Sequence, residues 1–322
     1  LVKVASLPQF GGPDAFVVAD EPRPTPAPGE VLIRVAAAGI NRADVLQRRG
    51  LYPSPPGVAP WPGLEVSGTI AEIGSQVDSW QVDDAVCALL PGGGYAEFAV
   101  CDAALVLPAP AGLTPVEAAA LPEATCTVWS NMRTAGAAAG QSILIHGGSG
   151  GIGTLALQMA RAAGLFTVVT AGDDERVERC VDLGADVGVN YRSSDFVSAV
   201  AKFGGVDIVL DCVGGEYLKR NLAALKDDGA LVVIGLQAGA TAELNLTTLL
   251  SRRLRIIGTA LRSRPLEQRA AIVADVRDNV WPMIPAEVRP VIHEVFPLDQ
   301  VARAHELMDE RAPFGKVVLQ VA

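Results

Sequence analysis

The chain has 322 residues, 50% hydrophobic and 19% charged, with a formal net charge of −10. That is ample apolar sequence for two cores. The acidic balance argues against nucleic acid or an anionic membrane as a partner, since both select a basic face. No apolar run reaches membrane-spanning length. The segment LVKVASLPQF carries no signal-peptide pattern, so a soluble cytoplasmic protein is expected.

Residues 1 to about 122 read as β-rich. VLIRVAAAGIN (31–41), VSGTIAEIG (66–74), DDAVCALL (83–90) and YAEFAVCD (95–102) are short apolar or alternating runs, separated by Pro and Gly clusters. The spacing predicts a compact barrel-like domain. TPVEAAALPEATCTVWSNMRTAG (114–136) has a Thr cap signal with Glu117 three residues on, then helical apolar spacing interrupted at Pro122.

From about residue 142 strands and helices alternate. SILIHG, FTVVTAG, DVGVN, VDIVLDCVG, ALVVIG and RLRIIGTAL read as strands. TLALQMARAAG, ERVERCVDLGA, SDFVSAVAKFG and EYLKRNLAALKDDG read as crossover helices. Six nearly continuous apolar strands joined in this way predict a doubly wound parallel sheet. After Ser263 come two further helical stretches, EQRAAIVADVRDNV and DQVARAHELMDE, and a closing strand, GKVVLQVA. This tail is expected to return to the first domain. The predicted organisation is 1–122 plus the tail 264–322, with 123–263 as the nucleotide domain.

The cysteines, Cys87, Cys101, Cys126, Cys180 and Cys212, are odd in number and none is in C-x-x-C spacing. Neither a disulfide framework nor a thiolate zinc site is expected. His146, His293 and His305 are scattered and read as packing or surface residues.

The strongest motif lies between the first strand and first helix of the alternating region. Gly148-Ser149-Gly150-Gly151-Ile152-Gly153 fits G-x-G-x-x-G. One glycine makes the tight turn, one lets the backbone approach a pyrophosphate, and one lets helix and strand pack closely. The helix N-terminus then faces the phosphates. A dinucleotide cofactor is expected.

The order and spacing of AAGINRADVLQRRGLYPSPPG (37–57), PGLEVSGTIAEIG (62–74), ALLPGGGYAEF (88–98), LPEATCTVW (121–129), IHGGSGGIGT (145–154), DCVGG (211–215), LRSRP (261–265) and FGKVVL (314–319) resemble the medium-chain dehydrogenase/reductase superfamily. The resemblance covers essentially the whole chain. It is closest to the zinc-independent, zeta-crystallin-like quinone oxidoreductase branch, in particular its tumour-suppressor-inducible members. It implies an α/β fold: a doubly wound parallel-sheet Rossmann domain plus a GroES-like β-barrel catalytic domain. Zinc-dependent relatives place a Cys where this chain has Asn41 and a His where it has Leu64, while Glu123 stands at the third ligand position. One carboxylate does not hold a zinc that needs three protein ligands, so no metal is expected.

The second strand ends in Thr170-Ala171-Gly172 rather than in the acid that accepts from a ribose 2′-hydroxyl. Arg176 and Tyr191 match positions that contact a 2′-phosphate in relatives, and Arg suits bidentate phosphate binding. The acidic run Asp173-Asp174-Glu175 opposes such a phosphate. The expectation is NADPH, with NADH possible because of Asp173.

The resemblance further implies cofactor contacts from Cys212-Val213, Gly235-Leu236, Leu261-Arg262-Ser263 and Lys316. It also implies Asn41, Tyr52 and Thr127 as catalytic candidates. Asn41 either bonds a substrate carbonyl or holds a loop. Tyr52 stacks on a flat ring or donates to a developing oxyanion, or simply packs its loop. Thr127 buttresses the nicotinamide or back-bonds within its helix. Asp44, Gln47 and His146 read as structural. The expected activity is NADPH-dependent hydride transfer to a quinone or other electrophilic acceptor, with no nucleic-acid or membrane partner. The alternatives are an enone or enoyl reductase and a non-catalytic, crystallin-like NADPH binder. A homodimer through the edge strand of the Rossmann sheet is also expected.

Overall fold

The computed structural model describes residues 1–310 and 313–322. The chain divides into two compact units. The first comprises Leu1–Cys126, Pro265–Ala286 and Pro290–Ala322, and the second Thr127–Arg264 with Glu287–Arg289.

In the first unit the long strand Glu30–Ile40 organises a sheet of seven strands. It pairs antiparallel with Glu65–Ile73 along its length, with Phe98–Asp102 along its first half and with Lys316–Gln320 along its second. Register shifts between Leu32 and Ile33 and between Val35 and Ala37 mark bulges, which bend a strand and increase its twist. Apolar residues Val31, Leu32, Ile33, Ile70, Val86, Leu107, Val317 and Val318 are fully buried. The returning tail supplies two parallel strands, Ile292–Pro297 and Lys316–Gln320, with the helix Val301–Glu310 between them in sequence. Sequence periodicity missed Ile292–Pro297. Of its residues only Phe296 is buried, so it carries almost no apolar signal.

In the second unit six parallel strands run in the order Val187–Asn190, Phe166–Ala171, Ser142–Ile145, Val206–Asp211, Leu225–Val233, Arg255–Gly258. This is the doubly wound order 3-2-1-4-5-6, which reverses direction beside the first strand. Leu144, Val168, Val209, Leu231, Phe196 and Leu254 build one core cluster.

Two further elements depart from the sequence reading. Pro122 starts rather than interrupts a helix: Pro115–Ala118 and Pro122–Ala135 are separate, as a residue without an N–H fits a first turn. The run EYLKRNLAALKDDG is helical only over Leu218–Ala224; from Leu225 the chain is a strand. Leu225 is buried in the core, Lys226 pairs with Asp207 at 2.9 Å, and Arg252 binds the Leu222 and Leu225 carbonyls. These tertiary contacts override a helix-favouring composition.

The helix Arg42–Arg48 is tied to Val301–Glu310 by charge. Arg48, 1% exposed, and Arg49 both reach Asp309, at 2.5 and 2.8 Å. Removing one partner of a buried pair leaves a charge uncompensated. Asp309→Ala is therefore expected to destabilise the first unit by about 3 kcal/mol, read as a lowered urea midpoint, whereas Arg49→Ala, at the exposed partner, should cost under about 1 kcal/mol.

Candidate active site

The nucleotide-type features collect at the carboxyl ends of the parallel strands, where open α/β sheets hold ligands. Ser142–Ile145 runs through His146 into Gly147–Gly150, and Gly150 caps the helix Gly151–Ala162. A Cβ on Gly148 would lie 2.6 Å from that of Val169, and one on Gly153 would lie 2.1 Å from the Gly147 carbonyl oxygen. Both glycines are required by close packing of strand, turn and helix. Ser149 is buried, and Gly151, Ile152 and Gly153 form the first helical turn, whose N–H groups lack partners within a helix. A helix N-terminus with free N–H groups has the chemistry to attract an anion.

Beneath the turn runs a directed chain of hydrogen bonds. The Gly147 N–H donates to Thr170 Oγ1 at 3.4 Å, and Thr170 Oγ1 lies 3.0 Å from His146 Nδ1. His146 Nε2 lies 2.7 Å from Asn221 Oδ1. An acceptor at Asn221 fixes the Nε2–H tautomer, so Nδ1 accepts from the threonine. The rings of Phe196 and Tyr217 close edge-on around the imidazole. His146 is therefore a structural hydrogen-bonding residue. Asp211 shapes the neighbouring turn: its carboxylate accepts from the N–H groups of Val213 and Gly214, at 2.8 and 3.1 Å. Sequence reasoning gave Asp211 no role of its own: it appears there only within the strand VDIVLDCVG and the DCVGG motif.

At the second strand end Ala171 is buried, and a Cβ on Gly172 would come within 3.0 Å of Tyr191 Oη. The structure thus brings Gly172 and Tyr191 together. Asp173 caps the helix Asp174–Asp182, accepting from the Arg176 N–H at 2.9 Å, and its other oxygen lies 3.2 Å from Arg176 Nε. The acid and the guanidinium expected to compete for a ligand are paired with each other. Cys212, at the fourth strand end, is half-buried with its Sγ 3.4 Å from the His146 carbonyl, and burial pushes its thiol up to about 12. Gly235 packs on the Cys212 backbone, Leu236 is exposed, and Leu261 and Arg262 are buried in a turn beside Ser263. Thr127 lies half-buried in the helix Pro122–Ala135, where its carbonyl accepts from Asn131 Nδ2 at 2.7 Å.

In the first unit a buried polar cluster forms where three strands meet. Asn41 follows Glu30–Ile40, Glu65 opens Glu65–Ile73, and Lys316 opens the last strand. The Lys316 ammonium, 2% exposed, lies 2.5 Å from Glu65 Oε1 and 2.6 Å from Asn41 Oδ1. Asn41 Nδ2 donates to Glu65 Oε1 at 2.9 Å, and the Glu123 N–H donates to Glu65 Oε2 at 2.9 Å. Lys316, expected at a cofactor, has its ammonium in this cluster. Asn41 is likewise engaged at both ends of its amide.

Asp44 and Gln47 hold the Pro-rich loop that follows their helix. Asp44 accepts from the Asn41 and Gly63 N–H groups at 2.7 and 2.9 Å, and Gln47 donates to the Pro60 carbonyl at 3.0 Å. Burial pushes the Asp44 carboxyl up to about 6 despite those two donors. Tyr52 lies half-buried in the same loop. Among the described residues no group of three or more His, Cys, Asp and Glu is placed to hold a metal, and no helix is long and apolar enough to cross a membrane.

Residues 27–111 match the alcohol dehydrogenase GroES-like domain, and residues 151–275 match the domain described as zinc-binding dehydrogenase. The mouse quinone oxidoreductase is 31% identical over 331 residues, covering 99% of this chain and 98% of that protein. A quinone oxidoreductase from Thermus thermophilus, whose structures include a complex with NADPH, superposes with a TM-score of 0.86 at 33% identity, over 99% of this chain and 100% of that one. A structure described as an NAD-dependent alcohol dehydrogenase superposes at 0.84 and 29% identity, over 99% and 100%. The chain belongs to the quinone oxidoreductase family of the medium-chain dehydrogenase/reductase superfamily. It is an oxidoreductase with a nicotinamide-cofactor fold.

His146 supplies a pH dependence. Burial pulls its pKa down to about 4, against a partial offset from the Asn221 hydrogen bond. Its unfolded value is about 6.5, so between pH ~6.5 and ~4 the unfolded chain binds a proton that the folded one refuses. The stability held by neutral His146 is present above that window and lost as pH falls through it, by about 1.4 kcal/mol per pH unit. Urea unfolding of wild type and His146→Gln at several pH values should show their stability gap narrowing with this slope.

Proposed function

We propose that the protein is a soluble, cytoplasmic, NADPH-dependent and zinc-independent quinone reductase. The observation that carries the cofactor reading is the second strand end. Ala171 and Gly172 offer no carboxylate to a ribose hydroxyl, Tyr191 lies over Gly172, and Arg176 opens the adjacent helix. The acid nearest them, Asp173, is occupied as the helix cap and neutralised by Arg176.

The glycine turn fits a dinucleotide, since Gly148 and Gly153 let strand, turn and helix pack closely enough to present a bare first helical turn. The N–H groups of Ser149, Gly151, Ile152 and Gly153 would hold the pyrophosphate, those of Gly148 and Gly150 being donated to the Thr170 and Gly147 carbonyls. Arg176 and Tyr191 would hold the 2′-phosphate, and Cys212-Val213, Gly235-Leu236 and Leu261-Arg262-Ser263 the rest of the cofactor. When bound, the cofactor supplies a hydride to an electrophilic acceptor.

Asn41 and Leu64 stand where zinc-dependent relatives carry ligands, which supports a metal-free reaction run by orientation and exclusion of water. Tyr52 would stack on the flat acceptor, and Thr127 would buttress the nicotinamide. Quinones suit such a site because they accept hydride without a strong acid. A homodimer through Arg255–Gly258 is supported by its place at the sheet edge and by exposed Ile256, Leu246 and Leu250 nearby.

Nicotinamide consumption with 9,10-phenanthrenequinone and chelator-treated protein tests this reading. Chelator-resistant turnover that prefers NADPH is expected, with Arg176→Ala raising the KM for NADPH at least tenfold more than that for NADH. Turnover that prefers NADH, or an equal effect of Arg176→Ala on both, would remove the phosphate role; loss of turnover with chelator would remove the metal-free mechanism.

A further inference from the structure

We propose that Lys316 and Glu65 are positioning residues that lock the Asn41 amide with its oxygen inward, leaving one Nδ2–H as a hydrogen-bond donor to the carbonyl oxygen of the acceptor. The proposal rests on the quinone-reductase reading and deepens it.

The orientation follows from donor chemistry. A lysine ammonium donates and cannot accept, so the atom of Asn41 that faces Lys316 Nζ at 2.6 Å is the amide oxygen. A carboxylate accepts, so the atom facing Glu65 Oε1 at 2.9 Å is the amide nitrogen. Each contact fixes the same flip, and the Lys316–Glu65 contact at 2.5 Å holds the two arbiters together. Glu65 is pinned in turn by the Glu123 N–H, and the Asn41 backbone by Asp44. Gly39 keeps the space open, because a Cβ there would lie 2.3 Å from Glu65 Oε1.

The Asn41 amide nitrogen has two hydrogens. Glu65 takes one; the other meets no acceptor among the described residues. Asn41 is 8% exposed, whereas Glu65 is 0% and Lys316 2%. The least buried member of the cluster therefore carries the spare donor. Burying an ion pair to hold a loop asparagine is costly, and apolar residues would serve as well. Burying it to aim an N–H has a purpose: donation by Lys316 to the amide oxygen polarises the amide and strengthens its N–H.

The substrate class that uses such a donor is a conjugated carbonyl, whose oxygen gains negative charge as hydride adds. In the balanced step, the hydride brings two electrons and one hydrogen nucleus to the quinone. The resulting oxyanion is held by the Asn41 N–H, and solvent supplies the proton that completes the hydroquinone. Asn41 gives up no proton.

The test is steady-state kinetics with 9,10-phenanthrenequinone and NADPH on three variants, each first checked for NADPH binding and thermal unfolding. Asn41→Leu keeps the shape and the Lys316–Glu65 pair but removes the donor. It should lower kcat about a hundredfold with the KM for NADPH within about twofold of wild type. The double variant Lys316→Met with Glu65→Gln leaves no uncompensated charge. It should lower kcat about tenfold, because the amide is free to flip, whereas the single variant Lys316→Arg, which keeps a cation beside Glu65, should retain most of the wild-type kcat. An active wild type with Asn41→Leu at unchanged kcat overturns the proposal and leaves the quinone-reductase reading standing. A double variant that loses thermal stability but keeps kcat makes the pair merely structural and overturns the positioning role. A wild type inert toward the quinone overturns both.

Discussion

The first unit turns on one buried ion pair. Glu65 and Lys316 are separated by most of the chain, yet their side chains are sealed together beside Asn41. Each opens a strand that pairs with Glu30–Ile40, Glu65 on one side and Lys316 on the other. An unpaired charge at either position would carry a full desolvation penalty. The pair therefore couples the N-terminal sheet to the returning tail, and the tail cannot detach without exposing or orphaning one of them. Arg48 and Asp309 repeat the device one helix away.

The second unit solves a different problem with neutral groups. The turn that joins the first parallel strand to its helix is rigid and nearly free of side chains. Packing against Val169 and the Gly147 carbonyl makes it rigid, and the glycines keep it bare. Thr170, His146 and Asn221 then tie three elements together from below with hydrogen bonds whose directions all agree. Burial keeps the imidazole neutral near neutral pH. Asp173 and Arg176 place an acid beside a cation at the strand end where adenosine would lie, and the acid serves the helix first.

Much of this was legible in the residues. The glycine spacing, the alternation of six strands with helices and the edge position of RLRIIGTAL all appear in the parallel sheet. His146 was read as a structural hydrogen-bonding group, as its bonds to Thr170 and Asn221 bear out; Asp44 and Gln47 were read only as structural, and their hold on the following loop emerges from the fold. What failed, failed for identifiable reasons. Ile292–Pro297 is an edge strand with one buried residue, so periodicity carries no signal. LKDDG looks helical, but Leu225 is drawn into the core and Lys226 to Asp207. The partners of Lys316, Asn41 and Glu65, lie far upstream and left no local signal in the sequence.

Local features were therefore set by the sequence itself: short-range turn chemistry, capping at Thr114 and Asp173, apolar periodicity and the glycine cradle all act within a few residues, where spacing alone fixes geometry. Partner choice belonged to the tertiary structure. Which carboxylate neutralises which cation, which way an asparagine amide faces, and which acid is left free for a ligand depend on strands that meet only after folding. A charge removed from water is stabilised by whatever the fold brings within three ångströms of it, and no periodicity in the chain encodes that distance.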